Sequence, residues 1–354
     1  MFFLVGIGLK PRHITSEAIE TLKKCEKIFA EEYTSEYCEG TLEEIEKKLG
    51  GKKIELLNRE AIEIGFDFSS EAVRKKNVAL LVFGNPLTAT THIQLLIDAK
   101  EKKVETKVIP GISITNMLAK SGLDEYRFGR TATICYHTEN FTPDSFYEQI
   151  KLNQSIGLHT LCLLDIKKDD KEKKLMNCAE GIAVLEKIAA EKNEKTNWSY
   201  VALLALGAEK EKIIFGKKEI ESAKETQKLF PQSLIVCGKL TEKEKEALEK
   251  LHCAKISENP QKTRLEEKVE KYEALTKKAL AEIIFEKEIS EKERKMGEAF
   301  LEMAKNYFSD GKHFKEKGDF LTALASFSYA HAWLDAGVRA KIFHAEDDQL
   351  FTLP

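Results

Sequence analysis

Short apolar runs alternate with amphipathic ones from Met1 to about Cys253, and the alternation stops there. The apolar runs predict strands at Phe2–Gly6, Lys27–Glu31, Lys53–Leu57, Val78–Phe83 and Glu105–Ile109. A second set is predicted at Ala132–Tyr136, Thr160–Ile166, Tyr200–Leu206, Lys212–Phe215 and Ser233–Cys237. Val78–Phe83 is apolar throughout, the pattern of a parallel strand covered on both faces. Amphipathic runs between them predict helices such as Ser16–Glu26, Thr41–Leu49, Thr91–Lys103 and Lys174–Glu191. Thr41 with Glu44 has the spacing of a capping box. Strand–helix alternation of this kind is an α/β pattern. Two groups of about five strands predict two lobes, residues 1–110 and 111–255, with the switch near Pro110-Gly111.

Residues 256–262, from Ile256 to Lys262, are polar, contain Pro260 and read as a linker. Beyond them no strand pattern is visible, and residues 263–354 read as an all-helical accessory domain of three helices. Thr263/Glu266 and Ser290/Glu293 are capping boxes opening two long charged helices. Lys317-Gly318-Asp319 breaks the second and starts a third. There Phe320, Leu324, Phe327, His331, Leu334 and Val338 form one apolar-leaning stripe. His331 and Trp333 read as packing residues.

Composition narrows the class. With 354 residues, 42% hydrophobic and 32% charged, the chain is long enough for two or three domains with substantial cores. A net charge of -3 does not suit a polyanion binder, so no nucleic-acid partner is expected. No apolar run reaches the ~20 residues needed to cross a bilayer. Met1–Gly6 reads as a first strand and not a signal peptide. The seven cysteines are odd in number, widely spaced and without a Cys-x-x-Cys pair, which argues against a disulfide framework or a metal site. Cys135, Cys162 and Cys237 read as buried small hydrophobes. A reducing, cytoplasmic setting follows.

The chemistry concentrates at predicted strand ends, where open α/β sheets bind ligands. Gly84-Asn85-Pro86-Leu87-Thr88-Ala89-Thr90-Thr91-His92 follows the strand Val78–Phe83 and precedes a helix. Gly6-Ile7-Gly8-Leu9 lacks the third glycine of a dinucleotide fingerprint, since Pro11 stands in its place. By itself it is a tight turn. Pro110-Gly111-Ile112-Ser113-Ile114-Thr115-Asn116 can be a capped turn or a ligand loop. His159 opens a predicted strand and reads as a polar strand residue more readily than as a base. Asp165 ends that strand and can orient a substrate ammonium or cap the next element.

These segments together resemble the diphthine synthase family of tetrapyrrole-methylase-like methyltransferases. The carriers are Gly84–His92, Gly6–Leu9, Pro110–Ser113, Gly157–Lys167, Leu203–Ala208, Pro231–Val236 and Ala30–Ser35, so the likeness spans Met1 to about Cys253. It implies a two-lobed fold with a cleft for S-adenosyl-L-methionine. By position it assigns the cofactor to Leu9, Asn85, Thr88, Ser113, Ile114, Leu164, Gly207 and Gln232, with Ala30–Ser35 at the cleft mouth. It further implies a homodimer and methylation of the amino group of a 3-carboxy-3-aminopropyl-histidine in elongation factor 2. Such a transfer needs no nucleophilic side chain and no metal. The amine must lose a proton, for which Asp165, Glu32 and bulk water are candidates. Three positions depart from the family pattern: Asn85 replaces an Asp, Leu206 an Arg and Gln232 a His. Each removes a charge from the cleft, and weaker cofactor binding or an altered substrate is the expected consequence. Two other readings stand: methylation of a tetrapyrrole or other small amine, and a cofactor-binding adaptor without turnover. The tail resembles a small all-helical archaeal family of unknown function; it reads as a docking module for a partner or the dimer, or as an accessory bundle.

Overall fold

The computed structural model describes residues 1–354 except 32, 64, 65, 71, 72, 74, 139, 140, 170, 171, 225–227, 255–263, 348, 349, 353 and 354. The chain divides into two compact units, Met1–Asn259 and Pro260–Pro354. The predicted linker 256–262 and the cap at Thr263 lie outside the described residues.

In the first unit, β1 (Phe2–Gly6), β2 (Lys27–Glu31), β3 (Glu55–Leu57), β4 (Val78–Val82) and β5 (Thr106–Ile109) form one sheet in the order β3-β2-β4-β1-β5. All its pairings are parallel. The central strands β1 and β4 are buried along their whole length. One face packs Val5 and Leu81 with Leu22 of the helix Ser16–Lys23, and the other packs Leu4 and Leu80 with Leu95 of the helix Ile93–Glu101.

The second sheet comprises β6 (Ala132–Ile134), β7 (Thr160–Leu164), β10 (Ser199–Leu204), β11 (Lys212–Phe215) and β12 (Gln232–Cys237), in the order β11-β10-β12-β7-β6. It is mixed: β6 runs parallel to β7, while the other pairings are antiparallel. One face packs Cys162 and Leu234 against Ile182 and Leu185 of the helix Cys178–Glu191. The other packs Val201 and Ile235 against Leu118 and Leu248.

Between β7 and that helix lies a hairpin, β8 (Ile166–Asp169) with β9 (Glu172–Leu175). The predicted helix Lys174–Glu191 is therefore wrong at its start. Lysine and glutamate favour helix but supply no apolar stripe there, and Asn177 sets the true beginning. Its side chain accepts from the Glu180 N–H at 2.9 Å, while Glu180 accepts from the Asn177 N–H at 2.9 Å. The predicted run Thr160–Ile166 likewise splits, because β7 ends at Leu164 and Ile166 opens the hairpin. Tyr200–Leu206 stops at Leu204, where Ala205 turns left-handed at φ 47°. Cys162 and Cys237 are buried as expected; Cys135 lies beyond the end of β6 and is half-buried.

His159 is fully buried at the foot of β7. Its Nδ1 accepts the Gly238 N–H at 2.9 Å, so its Nε2 is the donor to Glu244 Oε1, also at 2.9 Å. Glu244 accepts the Asp124 N–H at 3.0 Å and the Thr241 N–H at 2.8 Å, and Arg127 stands 3.6 Å away. This is a latch joining β7 to the last helix of the unit, Glu242–His252, and its geometry is structural.

In the second unit the described helices are Arg264–Glu282, Glu291–Glu316 and Phe320–Arg339. The Ser290/Glu293 box is formed. Gly318 takes φ 77° and Asp319 accepts the Thr322 N–H at 3.1 Å, which breaks and restarts the helix as expected. Phe327, Leu334 and Val338 are buried, Trp333 packs against Phe300, and His331 donates from Nε2 to Leu350 O at 2.7 Å. Contrary to the all-helical expectation, Ile284–Phe285 pairs with Phe343–His344; two-residue strands are too short for a period-2 signal.

Burial alone would push the Glu244 carboxyl up, but hydrogen bonds from His159, Thr241 and Asp124 overcome it and hold the group at about 2, against an ordinary 4.5. A depressed carboxyl stabilises the fold above its unfolded value and loses that contribution as pH falls toward the folded one. Glu244→Gln should therefore cost about 3 kcal/mol at neutral pH, and the gap to the parent should close between pH ~4.5 and ~2 in urea titrations. A gap that stays constant with pH contradicts the assignment.

Candidate active site

Three strand ends of the first sheet meet backbone to backbone. Gly8 N–H donates to Gly84 O at 3.1 Å and Gly84 N–H to Gly8 O at 2.9 Å. A Cβ on Gly111 would stand 2.2 Å from Gly84 O, and one on Gly6 would stand 2.6 Å from Gly111 N. Only hydrogen fits at either place. This contact brings the loops after β1, β4 and β5 to one point and makes them the floor of a cleft.

A cavity of about 330 Å³ opens above that floor, within the ~300–1,000 Å³ of small-molecule sites. Leu9, Asn85 and Thr88 line it from the first lobe, Ser113 and Ile114 from the crossover, and Leu164 and Gln232 from the second sheet. Gly207 does not reach it. That glycine, at φ 100°, lies behind Leu9, where a Cβ would come 3.5 Å from Leu9 Cδ1 and 3.2 Å from the His13 ring. It shapes the wall at one remove.

Among the described residues no charged side chain lines the cavity. Its wall combines leucines, among them Leu161, Leu163 and Leu203, with hydroxyls and amides. The departures from the family pattern explain part of this. Asn85 accepts the Leu87 N–H at 3.1 Å and donates to Gly111 O at 3.3 Å, tying two floor loops together. A carboxylate could not make the second bond. Gln232 Oε1 accepts the Cys178 N–H at 2.9 Å, one of the orphan donors at the start of that helix. Leu206 is buried among Leu161 and Leu203, where an arginine would carry charge into apolar surroundings.

Ser113 forms a capping box with Asn116 over the 3-10 helix Ile114–Ser121. Thr90 donates to Pro86 O at 2.7 Å and Thr91 to Glu63 at 3.2 Å, which fixes the Gly84–His92 turn and leaves Thr88 at the cavity. His92, buried, faces Pro86 O at 3.3 Å through Nδ1 and the Tyr33 hydroxyl at 3.4 Å through Nε2, which fastens the Ala30–Ser35 segment to the turn. Thr34 and Ser35 of that segment line the cavity. Thr131, which lies outside every motif, lines it too, as does Ser233, which falls within Pro231–Val236 but was not singled out there. Asp165 is not in the lining, and one of its oxygens accepts the Tyr136 N–H at 3.0 Å. Glu32 lies outside the described residues.

Residues 1–219 match the family described as tetrapyrrole (corrin/porphyrin) methylases, and residues 271–343 match one described as a protein of unknown function (DUF357). The diphthine synthase of Methanocaldococcus jannaschii is 38% identical over 257 residues, covering 71% of this chain and 98% of that protein. The diphthine methyl ester synthase of Schizosaccharomyces pombe is 42% identical over 187 residues, 52% of this chain and 65% of that protein. A crystal structure of a diphthine synthase superposes with a TM-score of 0.61 at 28% identity, over 72% of this chain and 97% of that one. Fold and cleft thus define a methyltransferase of the tetrapyrrole-methylase type. Within that class the chain belongs to the diphthine synthase family, the methyltransferases of diphthamide biosynthesis.

Gly111→Ala tests the floor. The backbone there is not left-handed, so the cost is steric: about 3 kcal/mol in denaturant unfolding, with transfer activity lost before the fold is. Parent-like stability and activity would show that the strand ends do not need this contact.

Proposed function

We propose that this chain transfers methyl groups from S-adenosylmethionine to the amino group of the 3-carboxy-3-aminopropyl-histidine of elongation factor 2. The observation that carries the reading is the hydroxyl-lined cavity at the glycine-packed strand ends, without a charged side chain among its described lining residues, in a chain 38% identical to a diphthine synthase over 98% of that protein and 71% of this one. The residues present fit the donor. The cavity is large enough, its leucines suit a purine face, and its amides and hydroxyls suit polar groups of the ribose and the amino-acid tail. Leu9, Asn85, Thr88, Ser113, Ile114, Leu164 and Gln232 would hold it, with Gly207 supporting Leu9 from behind. Bound there, it supplies an activated methyl group. The side chains need then only align the acceptor and exclude water, for which the apolar wall serves. With a donor that is itself cationic, an uncharged wall avoids repulsion but gives no charge-assisted bond, so donor affinity is modest.

The same reading takes residues 1–110 and 111–255 as the two methylase lobes, 256–262 as a linker and 263–354 as an accessory helical domain that docks a partner or the second copy. It also carries a homodimer, an archaeal source and a cytoplasmic setting. Among the described residues no helix is long and apolar enough to cross a membrane. One observation favours a second acceptor atom: the yeast relative is named for a methyl ester, which is formed on a carboxylate oxygen.

Incubating the protein with S-adenosylmethionine and elongation factor 2 bearing the unmethylated adduct should add mass in multiples of one methyl, stable to mild alkali. An alkali-labile gain assigns the carboxylate instead. Donor heat in calorimetry with no mass gain favours the adaptor reading, and no heat at millimolar donor overturns the donor assignment.

A further inference from the structure

Glu31 ends β2 with its side chain fully buried. Oε2 accepts the Thr34 N–H at 2.9 Å and the Tyr33 N–H at 3.3 Å, and Oε1 accepts the Thr34 hydroxyl. The Phe83 N–H also donates to this carboxyl. Thr34 is half-buried and lines the cavity. Its hydroxyl hydrogen is committed to Glu31, so its oxygen can only accept from a group in the cavity. A carboxylate thus stands one hydroxyl behind a wall that, among the described residues, carries no charged side chain.

Every methyl placed on an amine requires one N–H proton to leave. We propose that Thr34 and Glu31 form a relay that takes this proton, with Glu31 as its terminal acceptor. The inference rests on the amine reading above. The proton on the acceptor nitrogen passes to the Thr34 oxygen as the Thr34 hydroxyl proton passes to Glu31 Oε1. The freed lone pair then forms the N–CH3 bond while the donor's S–CH3 bond breaks and its electron pair stays on sulfur. Glu31, now neutral, returns the proton through the same hydroxyl to water after the product leaves.

The surroundings agree. Burial pushes the Glu31 carboxyl above the ordinary carboxylate range against its hydrogen bonds from Thr34, Tyr33 and Phe83, the direction a base near neutrality needs. Burial also keeps the neighbouring Tyr33 protonated and lowers His92, which meets the Tyr33 hydroxyl. Arg59 sits 5.1 Å over the Tyr33 ring, and Glu63 acts on both Tyr33 and His92. Phe83, on the β4 side, offers only its N–H.

The test compares Thr34→Val, which keeps shape and breaks the relay, with Thr34→Ser, which restores it, and with Glu31→Gln. Initial rates of methyl transfer to elongation factor 2 are taken from about pH 6 to 9, with donor affinity by calorimetry and melting temperature alongside. Thr34→Val and Glu31→Gln should lower kcat about 100-fold near pH 7, with the deficit shrinking about tenfold per pH unit as solution base takes over. Thr34→Ser should recover most of the rate and melt like the parent, while Thr34→Val melts lower because buried Glu31 loses a donor; donor affinity of both should match the parent. An amine product with a parent-like rate for Thr34→Val, or with a loss that does not change with pH, overturns the relay alone. An alkali-labile ester product overturns the amine reading and the relay with it. Should Glu31→Gln fail to fold, the Thr34 pair decides.

Discussion

Three glycines, at the ends of β1, β4 and β5, pack with no side chain between them, and the cleft exists because of it. Where a Cβ would approach a carbonyl to 2.2 Å, no relaxation of a flexible side chain can relieve the clash, because both partners are backbone. The parallel sheet delivers its loops to one edge, which is general to such sheets. The glycine contact then draws those loops close enough that Leu9, Asn85 and Ser113 border one hollow. Sheet topology chooses the edge, and the close approach makes the edge concave.

The second lobe closes the hollow from a differently built surface. Its sheet is mixed, and the face carrying Leu161, Leu163 and Leu203 turns toward the cavity while the opposite face is covered by helices. The three departures from the family pattern then act together. Asn85 converts a potential charge into a bridge between floor loops, Gln232 caps a helix start, and Leu206 extends the apolar wall. Among the described residues the lining carries no charged side chain, and the carboxylate of Glu31 stands behind Thr34. Alignment and water exclusion, not electrostatic attraction, are what this wall offers a methyl donor.

Much of this was legible in the chain. The strands Phe2–Gly6 and Lys27–Glu31 appear as the apolar runs predict: the first is buried along its whole length, and the second buries Ile28 and Ala30. Seven of the eight positions singled out from the motifs border one cavity, since each sits at a strand end or in the loop after one, where topology leaves little choice. Gly207 stands one shell back because a glycine in a motif marks a turn as readily as a contact. The hairpin Ile166–Leu175 was missed because its lysine- and glutamate-rich sequence has the propensity of a helix and no period-2 pattern to oppose it. Thr34 and Glu31 drew no individual notice, since a single hydroxyl and a single carboxylate acquire meaning only from what the fold sets beside them. The latch at His159 was similarly invisible, because its partners Gly238 and Glu244 lie far along the chain.

If the glycine-packed strand ends and the leucine face form one donor site, the donor must protect both at once. Hydrogen–deuterium exchange with and without S-adenosylmethionine measures that protection directly. Slowed exchange concentrated in Gly6–Leu9, Gly84–Ala89, Gly111–Thr115 and Pro231–Ser233 is the predicted result. Protection that falls elsewhere, or that spares the first three of these loops, would contradict it.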